Sequence, residues 1–93
     1  MIKSFHCKDT EKLFDRRLQR KFPTVLKKAA LRKLEMLDAA ESLGDLKAIP
    51  SSRLEALSGN RKGQYSVWIN RQWRICFRWE TGDAFDVELV DYH

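Results

Sequence analysis

At 93 residues, 43% hydrophobic and 33% charged, the chain has the length and composition of a globular domain with one modest core. Two cysteines, Cys7 and Cys76, are too few for a disulfide scaffold, no apolar run is long enough for a membrane span, and Met1-Ile2-Lys3-Ser4-Phe5 is too polar to open a signal peptide. The formal net charge of +5 points to a polyanionic or acidic partner.

These features lead us to expect a single domain over residues 1–93, cytoplasmic, with no membrane association. His6, Cys7, Cys76 and His93 lack the paired spacing of a zinc motif, so no metal or other cofactor is expected.

In chain order, Ile2 to Phe5 reads as a short first strand. Asp9 is a candidate N-cap for a helix with Glu11 in its first turn and an apolar stripe of Leu13, Phe14 and Leu18, ending before Pro23. A longer helix starts at Pro23-Thr24. Leu26, Ala30, Leu34, Leu37 and Ala40 recur at three- and four-residue steps along it, and Gly44 is its expected stop. The two form a helical hairpin whose outer face carries Lys12, Arg16, Arg17, Arg20, Lys21, Lys27, Lys28, Arg32 and Lys33. Such a run is either a solvated helix face or a surface for phosphates or acidic groups.

Pro50-Ser51-Ser52 marks a loop, and Arg53-Leu54-Glu55-Ala56-Leu57 is short enough to be extended. Ser58 to Gly63 is a polar loop that could approach a phosphate with backbone N–H groups and with Arg61 or Lys62, although an ordinary turn accounts for it as well. Three strands follow. Tyr65, Val67 and Ile69 alternate with Ser66, Trp68 and Asn70. Trp73, Ile75, Phe77 and Trp79 alternate with Arg74, Cys76 and Arg78. Phe85, Val87 and Leu89 alternate with Asp86, Glu88 and Val90. The short polar connections Asn70-Arg71-Gln72 and Thr81-Gly82-Asp83 make the three an antiparallel meander. Trp73, Ile75, Phe77, Val87 and Leu89 are expected to face the helix carrying Leu34 and Leu37.

The class is α+β: two N-terminal helices packed on a twisted antiparallel sheet. The order of elements, the opening Met1-Ile2-Lys3-Ser4-Phe5, the stretch from Leu54 to Tyr65 around Gly59-Asn60-Arg61-Lys62-Gly63, the strand Trp73-Arg74-Ile75-Cys76-Phe77 and the closing Asp91-Tyr92-His93 resemble the RelE/ParE toxin superfamily, most closely its HigB branch. The resemblance implies a RelE-like microbial RNase-type fold and a type II toxin-antitoxin toxin that inhibits translation and growth. It implies an endoribonuclease cleaving mRNA in the ribosomal A site, neutralised by a HigA-like helix-turn-helix antitoxin. Two alternatives stand beside it: a ParE-like DNA gyrase inhibitor and a non-catalytic RNA- or ribosome-binding module.

Metal-independent cleavage by 2′-OH transesterification needs a base, an acid for the leaving 5′-oxygen and cations for the phosphate. His93 is the natural acid or base, since an imidazole titrates near neutrality. Asp91 is a base or orients it. On an extended tail residues 91 and 93 share one side and Tyr92 takes the other, so the tail must twist if Tyr92 is to join them and stack on a base or donate its proton. Arg74, one strand over, is the phosphate clamp. Arg61, Lys62 and Arg78 are further phosphate contacts, and Arg16, Arg17 and Arg20 are candidates for ribosomal or messenger RNA.

Some family members carry a histidine where this chain has Glu55, and a basic residue where it has Ser58. Glu55 can act as a base but supplies no cation. Plainer roles exist for several of these residues: a solvated end for His93, a cross-sheet ion pair with Glu88 or Asp86 for Arg74, and packing for Trp68 and Trp79.

Overall fold

The computed structural model describes residues 1–92. Its helices are α1 (Lys8–Phe14), α2 (Thr24–Ala39) and α3 (Leu43–Lys47), and its strands are β1 (Glu55–Ala56), β2 (Tyr65–Trp68), β3 (Trp73–Glu80) and β4 (Asp83–Asp91). No helix among the described residues is long and apolar enough to cross a membrane.

The helical stripe of α2 forms as its spacing dictates. Leu26, Ala30, Leu34 and Leu37 are all buried, and Pro23 stands at the N-cap, where a missing N–H costs nothing. Each large aliphatic side chain buried this way contributes about 1.5–3 kcal/mol. The α2 helix stops at Ala39, not at Gly44. Gly44 lies inside α3, a helix the apolar periodicity did not announce. Ser42 opens it with a capping box: its hydroxyl accepts from Asp45 N, and the Asp45 carboxylate accepts from the backbone N–H of Ser42 and Glu41.

The first helix is shorter than its stripe suggested. It is entered from Cys7, with Asp9 in the first turn and not at the cap, and it ends at Phe14. Its end is a Schellman motif. The Arg17 N–H reaches Lys12 O at 2.7 Å and the Arg16 N–H reaches Leu13 O at 3.1 Å, with Arg16 at φ 59° in the left-handed position usually held by glycine. Leu18 is consequently solvent-exposed, and Arg16, Arg17 and Arg20 lie on the connection between α1 and α2, not on a helix face. Gln19 folds back there, its Oε1 accepting from Phe22 N at 3.0 Å.

The strands pair antiparallel in the order β1-β2-β3-β4. The N-terminal segment joins the far edge of β4 through two isolated parallel bridges, Ile2 with Ala84 and Phe5 with Val87, so the expected first strand is reduced to an edge contact of parallel sense. Between those bridges β4 carries a bulge. Asp86 and Val87 together face Phe77, Asp86 takes φ 53°, and its N–H donates to Ser4 Oγ at 2.8 Å. The extra residue shifts the phase of alternation. Ala84 and Val87 are fully buried, whereas Phe85 turns to the other face beneath the Arg78 guanidinium. The expectation that Phe85 shares a face with Val87 fails for this reason.

The core face otherwise follows the pattern. Ile75, Phe77, Val87 and Leu89 form one cluster with Val67 and with Leu34 and Leu37 of α2, and Trp73 packs at its margin, edge-on to Phe22. The helices thus cover one face of the sheet and leave the other to Ser66, Trp68, Arg74, Cys76 and Glu88.

Candidate active site

The uncovered face is not uniformly solvated. Cys76 and Ser66 are buried there, although neither touches the helices' side of the sheet. What covers them is the chain that follows β4. Tyr92 continues the alternation of Glu88 and Val90, and its N–H is bonded to Gln72 O. Its phenol lies beside the Cys76 thiol. Burial pushes the titration of both groups upward, so each stays protonated at neutral pH. Tyr92 therefore reaches Arg74 with no twist of the tail.

A cavity of about 210 Å³ opens beside this lid, lined by Arg53, Glu55, Ser66, Trp68, Arg74 and Tyr92. Register assembles it. Glu55 on β1 lies opposite Ser66, and Trp68 on β2 lies opposite Arg74. The Arg74 guanidinium sits 5.4 Å from both the Trp68 and the Tyr92 ring centroids. One of its nitrogens donates to Asn70 O at 2.6 Å and to Trp73 O at 3.2 Å. It makes no ion pair among the described residues: Glu55 lines the same cavity without pairing to it, and the two carboxylates across the sheet have other partners. Glu88 pairs with Arg61 at 3.3 Å, and Asp86 holds Arg78 at 2.7 Å. A cation held by rings and carbonyls and left without a counterion is suited to an incoming anion.

The other expected site residues fall differently. Glu55 lines the cavity. Asp91 does not. It closes β4 opposite Trp73 and accepts from Gln72 Nε2 at 3.1 Å. His93 lies outside the described residues. Arg61 lines a second, larger cavity of about 500 Å³ with His6, Asn60, Gln64, Asp86 and Glu88, and donates to Gln64 as well as to Glu88. Lys62 follows it, exposed, at the end of a short 3-10 turn. Arg78 is spanned by Asp86 and Glu80, so its charge is already met. Arg16 pairs with Glu35 and Arg17 with Asp15, and with Arg20 they stand among the helices, across the sheet from the cavity.

Two contributors had no strong signal in the sequence. Arg53 enters because its backbone adopts φ 44°, which brings its guanidinium 4.1 Å from the Trp68 ring centroid. Trp68 is a wall of the cavity flanked by two guanidinium groups, not a piece of the core. Its alternation with Val67 was the one available hint.

Over residues 3–93 the chain matches the family described as "RelE-like toxin of type II toxin-antitoxin system HigB". It is 41% identical over 75 residues to Toxin HigB-1 of Vibrio cholerae serotype O1, an alignment covering 81% of this chain and 79% of that protein. It is also 32% identical over 93 residues to Endoribonuclease HigB of Proteus vulgaris, over 100% of both chains.

Proposed function

The chain belongs to the HigB family of RelE-like toxins, the toxin half of a type II toxin-antitoxin system, and from that premise we propose that it is a cytoplasmic endoribonuclease that cuts mRNA in the ribosomal A site without a metal. A helix-turn-helix antitoxin neutralises it. The observation that carries this reading is Arg74, a guanidinium that pairs with no carboxylate among the described residues, in a cavity walled by Trp68 and Tyr92 and shared with Glu55.

In the proposed reaction a 2′-OH gives its proton to a base and attacks the adjacent phosphorus. The P–O5′ bond breaks and the leaving oxygen takes a proton from an acid, which yields a 2′,3′-cyclic phosphate and a 5′-OH end. Arg74 binds the scissile phosphate and meets the charge that grows on its oxygens. Glu55 is the base within the cavity. The neutral Tyr92 phenol is a proton donor or a stacking surface for a splayed base. Asp91 and His93 complete the proton transfer from the end of the tail. Arg61 and Lys62, on the same side of the sheet, take flanking phosphates.

The test is primer extension on mRNA bound to ribosomes, with naked mRNA and a gyrase supercoiling reaction alongside. Wild type should cut only the ribosome-bound message and leave supercoiling unchanged. Arg74→Ala, and a chain lacking His93, should each cut at least about a hundredfold more slowly while keeping the wild-type circular dichroism spectrum. Folded variants that cut at the wild-type rate would remove the chemistry from this cavity.

A further inference from the structure

Away from the cavity, one surface has features that neither the fold nor the cleavage reaction requires. A groove of about 360 Å³ runs between the end of α1 and the flank of α2. Leu13 and Leu31 supply its apolar lining, while Arg17, Lys27 and Lys28 supply cations. Gln19 is built into it at 5% exposure. Its Oε1 is used by Phe22 N, but its Nε2 has no hydrogen-bond partner among the described residues. A buried amide donor left unsatisfied is costly, and native structures keep few of them.

Beside the groove stand the two most exposed large hydrophobic side chains among the described residues: Leu18, between Arg17 and Gln19, at 77%, and Val25, one helical turn before Lys28, at 91%. Scattered apolar side chains on a surface mean little. Here they adjoin an apolar-lined groove, a cluster of cations and an orphaned donor.

The combination selects a partner. RNA would use the cations but not Leu18, Val25, Leu13 or Leu31, and no aromatic ring among the described residues lines the groove to stack a base. A peptide segment with apolar residues, a backbone or side-chain acceptor for Gln19 and acidic residues for the cations uses all of it. We propose that this groove is the docking surface for an acidic, amphipathic segment of the antitoxin protein. The proposal rests on membership of a toxin-antitoxin family and not on the cleavage reading.

The test is calorimetric titration of the full-length chain with its cognate antitoxin. Leu18→Glu combined with Val25→Glu, and separately Lys28→Glu, place carboxylates on exposed positions that carry no core packing. The double variant should lower antitoxin affinity on the order of a hundredfold, and Lys28→Glu about tenfold, with the Lys28→Glu loss shrinking as salt is raised. Ribosome binding and mRNA cleavage should stay at wild-type levels in both. Unchanged antitoxin affinity in the folded variants would overturn the proposal. So would loss of ribosome binding with antitoxin affinity intact, which would assign the face to RNA. Affinity is read whether or not the wild type cuts RNA, so failure of the cleavage reading would leave this measurement decisive.

Discussion

Glu55 lines the cavity with Arg74 and Tyr92, which makes its role testable at the level of one atom. Exchange of a carboxylate oxygen for an amide nitrogen removes the base and leaves the shape. Glu55→Gln should therefore slow single-turnover cleavage on ribosomes by about 10²–10⁴, the range of a general base, with unchanged melting. Glu55→His should retain activity, since an imidazole can take the same proton. A Glu55→Gln rate equal to wild type would transfer the base to Asp91 or His93. Cys76 and Tyr92 support a second expectation. Burial raises the titration of both, so the folded state favours their neutral forms. That contribution to stability is complete below the pKa of the unfolded thiol, about 8.5, and is lost as pH rises through the folded values. Urea midpoints should fall between pH 8 and 10, and Cys76→Ala should flatten that fall. An equal slope in the variant would exonerate the thiol.

Among the elements, α1 shows most clearly how local chemistry redirects a helix. Its left-handed C-terminal position is filled by Arg16, which carries the Cβ penalty that glycine would not. The exposed ion pair with Glu35 contributes well under about 1 kcal/mol in return. Arg16→Gly and Arg16→Ala both delete the pair, but only glycine relieves the backbone. The glycine variant should be the more stable of the two by about 1 kcal/mol in thermal melts. Equal melts would mean the strain is absent. The β4 bulge works in the same way: one residue at positive φ moves Phe85 out and Ala84 in, and puts Asp86 where it can hold Arg78.

For the molecule as a whole, the sheet divides the packed core from the candidate site. One face is sealed under α2, and the cavity occupies the other. Leu37→Ala, at a fully buried position, should cost about 2–5 kcal/mol and lower the melting midpoint by more than about 10 °C. At a temperature where the variant is still folded, its cleavage rate should be close to wild type. A specific loss of cleavage in the folded Leu37→Ala protein would show that core and cavity are coupled.

The α+β class, the α2 stripe, the meander and the identity of Arg74, Tyr92 and Glu55 as candidates were all legible in the sequence, because each rests on a local period or on side-chain chemistry. The helix opened by the capping box at Ser42 and Asp45 went unread, because it carries no apolar repeat. What the chain alone could not decide depends on pairing. That Glu88 and Asp86 are not partners of Arg74 follows from Arg61 and Arg78 having claimed them, from 27 and 8 residues away. Whether Arg53 reaches Trp68 depends on one left-handed residue, and whether Tyr92 or Asp91 meets Arg74 depends on the register of β4 against β3. These are outcomes of competition among distant groups for the same partners, and only the tertiary structure fixes which of them wins.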